Sequence, residues 1–145
     1  MELKKYQEKS IEELKDYLKE LNKFGAKHAF ISKKEEKYNE EFFGNIPFIC
    51  IKIPTGGGKT LVACHSVKEI MDISLENKLG KGIVIWYVPS EAIKSQTLKK
   101  LNDKKDLHRS ILDEYFNNKI RIFSNEESLK IRKEDVDNNL CIIVS

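Results

Sequence analysis

The chain has 145 residues, 40% apolar and 34% charged, with a formal net charge of +3. That is one core of ordinary domain size, too mildly basic for composition alone to argue for nucleic acid. No apolar run is long enough to span a bilayer, and the charged start "MELKKYQEKS" is no signal peptide, which excludes a membrane partner and predicts a cytoplasmic protein. Cys50, Cys64 and Cys141 each lie in apolar surroundings and read as buried, reduced thiols.

From about residue 3 to 21, Ile11, Leu14, Leu18 and Leu21 recur at three- and four-residue steps, which predicts an amphipathic helix. Ser10 and Glu13 form a capping-box pair, although the helix could equally begin several residues earlier; Gly25 is the predicted stop. Residues 26–44 carry mixed charge without clean periodicity and read as an exposed loop or short irregular helix. After Pro47, "FICIKI" reads as a buried strand. Leu61, Val62, Cys64, Val67, Ile70, Met71 and Ile73 then trace a broad helical face. "GIVIWYV" (82–88) is the second predicted strand, and its near-continuous apolarity predicts a parallel strand covered on both faces. A helix follows from Pro89-Ser90 to about residue 101, and a shorter one over 107–116. "IRIFS" (120–124) and "LCIIVS" (140–145) read as the third and fourth strands, joined by a polar helix-and-loop connection. Alternating strands and helices predict an α/β fold with a mostly parallel sheet flanked by helices.

Between the first strand and its helix stands "IPTGGGKT" (53–60). Glycines turn the backbone tightly and let amide N–H groups approach phosphate oxygens, while the next helix presents its free donors and positive dipole end to the same anion. The layout predicts that Pro54, Thr55, Gly56, Gly57, Gly58, Lys59, Thr60 and Leu61 hold ATP. Lys59 would reach the β- and γ-phosphates, and the Thr60 hydroxyl would ligate Mg²⁺. The full G-x-x-x-x-G-K-[ST] pattern is not met, because its first position falls on Ile53.

"IPTGGGKT" resembles the A-P-T-G-x-G-K-T loop of superfamily-2 helicases and translocases. "LKKYQEKSI" (3–11) resembles the upstream glutamine motif, and "IWYVPSEAIKSQT" (85–97) resembles motif Ia. Among the branches of that superfamily, the likeness is to the helicase subunit of type III restriction enzymes. The resemblance implies a partial P-loop, RecA-like domain in three stretches. These are a glutamine-motif helix over 1–25, an exposed connection over 26–46 and an α/β core over 47–145. It further implies that Gln7 reads the adenine edge with Tyr6 packed nearby, and that Pro89 and Ser90 lie on a nucleic-acid backbone, DNA in this branch. A modification or specificity subunit is the implied protein partner.

That family holds Mg²⁺ and positions water with an Asp-Glu pair at the end of a later strand. Asp113-Glu114 lies within a helix-like pattern and is rejected for that role, so the chain is expected to stop before the acidic motif and to be incomplete for hydrolysis. Lys94, Lys99, Lys100, Lys104, Lys105 and Arg109 read either as a phosphate-tracking patch or as a solvated helix face. Isolated His28, His65 and His108 show no ligand spacing. Two other functions fit the loop: a nucleotide- or nucleic-acid-binding module without catalysis, or a small P-loop kinase, which the scarcity of arginines disfavours.

Overall fold

The computed structural model describes residues 3–33, 37–74 and 80–145, in two compact units, Met1–Glu76 and Asn77–Ser145. In the first, helix α1 (Lys5–Phe24) buries Gln7, Ile11, Leu14, Tyr17 and Leu18. The three- and four-residue steps of this set put one face inward. The helix starts well before Ser10: the Lys4 N–H donates to Gln7 Oε1 at 2.9 Å, which ties off the first turn. Gly25, at φ 84°, ends it, and α2 (Ala26–Lys33) follows at once.

The connection expected to be exposed is only partly so. Ala26, Ala29 and Tyr38 are buried, and Glu40–Phe43 forms a short helix α3 whose cap Asn39 accepts from Phe42 N–H. Residues 34–36 of that charged stretch, and the first two of the chain, lie outside the described residues. Helix α4 (Lys59–Glu69) runs into a π-helical turn (Ile70–Ser74), and α1 packs on both. Leu14, Tyr17, Leu18 and Ala29 form a core joined by Leu21, Ile51 and Ile73.

Residues 48–53 do not form the expected strand. The Tyr17 hydroxyl accepts the Phe48 N–H at 3.1 Å, and the Phe48 ring stacks on Phe43 with centroids 4.8 Å apart. Ile51 packs against the core while Phe48, Ile49 and Cys50 are exposed, so side-chain packing rather than a ladder holds the run. The buried-thiol expectation therefore holds for Cys64 and Cys141 and fails for Cys50.

The second unit holds β1 (Gly82–Trp86), α5 (Glu91–Asn102), α6 (Leu107–Tyr115), β2 (Ile120–Ser124), α7 (Lys133–Asn138) and β3 (Leu140–Val144). The sheet order is β1-β3-β2, with both pairings parallel; Ile83 faces Cys141 and Ile122 faces Ile142 in register. Central β3 buries Leu140, Cys141, Ile142 and Val144 completely. Helix α5 packs on β2, β3 and α6, and α7 on β3 and β1. The fold class is thus α/β, a parallel sheet flanked by helices as in RecA-like domains, with three strands among the described residues where the sequence suggested four.

β1 corrects a second expectation. It is an edge strand, and Ile83 and Ile85 stand 50% and 55% exposed while Val84 and Trp86 are half-buried. Apolar residues on both faces do not ensure that both faces are covered. Among the described residues, no helix is long and apolar enough to cross a membrane.

Candidate phosphate-binding loop

The first unit carries the loop. The Gly57 N–H closes a turn on the Pro54 carbonyl at 2.9 Å, and α4 begins two residues later with Gly58 as its cap. Gly56 and Gly58 have φ of 73° and 77°, in the left-handed region where only glycine sits without strain. Gly57 is required for a different reason. A Cβ there would stand 2.7 Å from Ile53 Cγ2 and 2.8 Å from the Pro54 carbonyl oxygen, contacts real side chains do not make. Three consecutive glycines thus answer two separate constraints.

The first helical bond into this turn is Val62 N–H to the Gly58 carbonyl, at 3.1 Å. The N–H groups of Gly58, Lys59, Thr60 and Leu61 have no hydrogen-bond partner among the described residues. They are the orphan donors of a helix start, and they make the end of α4 positive. Lys59 adds a formal charge. Its Nζ donates to the Pro54 carbonyl at 3.1 Å, so in this structure the ammonium lies folded on its own loop. The half-buried Thr60 hydroxyl has no partner among the described residues, and Thr55 and Gly56 are exposed.

From α1, two side chains reach the loop. The Tyr6 hydroxyl donates to the Gly57 carbonyl at 2.9 Å, and Gln7 Nε2 donates to the same oxygen at 2.8 Å. Gln7 is buried and its Oε1 holds Lys4 N–H, whereas Tyr6 is 40% exposed. Sequence reasoning singled out all these side chains but missed the groups that organise them, the carbonyls of Pro54 and Gly57 and the methyl of Ile53. Backbone acceptors leave no mark in a sequence pattern.

In the second unit, Pro89 and Ser90 follow the carboxyl end of β1 and are exposed, with Ser90 Oγ capping α5 through Ile93 N–H at 3.4 Å. Two cations of the neighbouring cluster are spoken for. Lys94 Nζ is held by Glu126 at 3.1 Å and Glu91 at 3.5 Å. Buried Arg109 meets Asp113 at 2.9 Å and donates to the carbonyls of Leu101 and Ile120. Asp113 is therefore a structural partner inside α6. His108 Nδ1 lies 2.7 Å from the Asp106 carboxylate, and burial holds the His65 imidazole below its usual range. Among the described residues no cluster of His, Cys, Asp and Glu could hold a metal.

Unpartnered N–H donors beside a lysine give the loop the chemistry that suits an anion, and one family match says in what kind of protein it stands. The family of the type III restriction enzyme, res subunit, matches residues 1–145. The chain belongs to that helicase-related family. No curated protein and no solved structure matches it. The loop departs from the general G-x-x-x-x-G-K-[ST] pattern at Ile53, and the departure has a counterpart in space. The Ile53 methyl occupies the place a Gly57 side chain would need.

Proposed function

We propose that this chain binds ATP with Mg²⁺ through residues 54–61 and forms the ATP-binding segment of a DNA-dependent helicase or translocase. The supporting observation is the run of four unpartnered N–H groups at the start of α4, beside Lys59, in a member of a helicase-related family. The lining fits a polyphosphate: donors without acceptors, one cation, and no room for a Cβ at Gly57. Lys59 would exchange the Pro54 carbonyl for phosphate oxygens, and Thr60 would present its hydroxyl to Mg²⁺. Bound ATP would supply the phosphoanhydride whose cleavage drives movement along nucleic acid.

Gln7 keeps a second Nε2 proton and a second Oε1 lone pair after its two bonds here, enough to read an adenine edge. The exposed Pro89–Ser90 turn is the proposed backbone contact for DNA. A modification or specificity subunit as partner rests on the family alone.

Lys59→Ala tests the site. A charge-assisted contact is worth about 1.5–3 kcal/mol, so ATP affinity should fall roughly 10- to 100-fold and ATP-dependent thermal stabilisation at a fixed ATP concentration should shrink accordingly. Unchanged affinity by calorimetry would remove the assignment. A second reading, nucleotide binding without turnover, is favoured by one fact: the chain's Asp-Glu pair has its Asp113 committed to Arg109. ATP hydrolysis stimulated by DNA would decide against it.

A further inference from the structure

A trans peptide is planar, so its C=O and the following N–H point in opposite directions. Whatever holds the Gly57 carbonyl therefore also aims the Gly58 N–H. Two donors from α1 hold it, the Tyr6 hydroxyl at 2.9 Å and Gln7 Nε2 at 2.8 Å, and together they fill both lone pairs of that oxygen. The Gly58 N–H, turned the other way, has no partner among the described residues. Glycine on both sides of the peptide leaves it free to rotate, and Gly58 already sits at φ 77°. Without an anchor, the orientation of this donor would be lost to backbone entropy.

We propose that Tyr6 is a positioning residue for the phosphate loop. Through its hydroxyl on Gly57 it fixes the Gly58 N–H toward the bound polyphosphate, and it does not pack on the base. The proposal rests on the ATP-binding reading and gives Tyr6 a role different from the one its place in the glutamine motif suggests. Gln7 is buried and fastened at both ends, so it sets the position of α1 against the loop. Tyr6 is 40% exposed with a single bond, so its hydroxyl can be removed with little disturbance to the core.

The experiment compares wild type, Tyr6→Phe, Tyr6→Ala and Lys59→Ala in titrations with ATP, ADP and AMP in the presence of Mg²⁺. The Gly57 carbonyl ¹³C resonance of the nucleotide-free proteins is read alongside. Tyr6→Phe should weaken ATP and ADP about 3- to 10-fold, the worth of one neutral hydrogen bond, and leave AMP within twofold. Tyr6→Ala should be no weaker than Tyr6→Phe, and the carbonyl resonance should shift in both. Recovery of affinity in Tyr6→Phe relative to Tyr6→Ala, or equal losses for AMP and ATP, would make the ring a base contact and overturn the proposal. Unchanged affinities in Tyr6→Phe, with Lys59→Ala still impaired, would overturn it while leaving the ATP site standing. If wild type binds no nucleotide, the ATP reading falls, and the carbonyl resonance alone decides whether Tyr6 anchors the loop.

Discussion

A methyl group at Gly57 would collide with Ile53 Cγ2 and with the Pro54 carbonyl, and only the first of these can move aside by rotating a side chain. Gly57→Ala should therefore cost about 1–3 kcal/mol, the usual range for forcing an extra carbon into a filled space. Gly56→Ala meets no atom within 4 Å and carries only the left-handed backbone penalty, about 1–2 kcal/mol. The two separate in combination with Ile53→Ala. That change should recover part of the loss at Gly57 and none at Gly56, as read from denaturant midpoints. Equal recovery at both would refute the steric account. The loop itself was legible because glycine, lysine and threonine in that order have few other uses. The need for the middle glycine was not, since it arises from where Ile53 and Pro54 lie in space. Nor was the grip of Tyr6 and Gln7 on the loop legible, because the shared acceptor is a main-chain oxygen.

At the level of elements, α5 is fastened to the turn after β2 by Lys94 and Glu126. The Glu126 carboxyl is held down to about 2 by a main-chain hydrogen bond within its own residue, by the Ser124 hydroxyl and by Lys94. Its bond to Glu126 chiefly raises the Lys94 ammonium in turn. A carboxyl with a depressed folded-state value stabilises the fold above its ordinary value near 4.5 and loses that contribution as the pH falls through 2. Glu126→Gln should therefore melt below wild type at pH 7, and the gap should close steadily between about pH 4.5 and 2. Glu126 is exposed, so the gap should also narrow in high salt. A difference independent of pH would mean that the contact is not electrostatic. Most helices were legible from their apolar steps, and so were β1, β2 and β3 from their short apolar runs. The stretch 48–53 has the composition of a strand but no backbone partner, and Tyr17, Phe43 and the core claim its groups instead. Strand propensity describes side chains that suit a pleated surface and cannot supply the neighbouring strand.

On the scale of the whole molecule, net charge says little and the placement of each cation says more. Of the cluster on α5 and α6, Lys94 and Arg109 are internal ties, whereas Lys99, Lys104 and Lys105 are exposed. If the proposed DNA contact at Pro89–Ser90 extends along α5, only the exposed lysines can release counterions from phosphate. Each contributes about 0.7 to the slope of log affinity against log salt on a single strand. Lys99→Gln with Lys104→Gln should make that slope shallower by about 1.4, whereas Lys94→Gln should leave it unchanged while lowering the melting temperature. Fluorescence anisotropy with a single-stranded oligonucleotide between 50 and 200 mM salt would measure both, using roughly the range over which such contacts are lost. A shallower slope in Lys94→Gln would mean that Glu126 gives this lysine up to DNA, and the tie between α5 and β2 would then become part of the binding surface. An unchanged slope in the double variant would take the lysines of α5 and its following turn out of the contact and leave Pro89 and Ser90 to carry it without them.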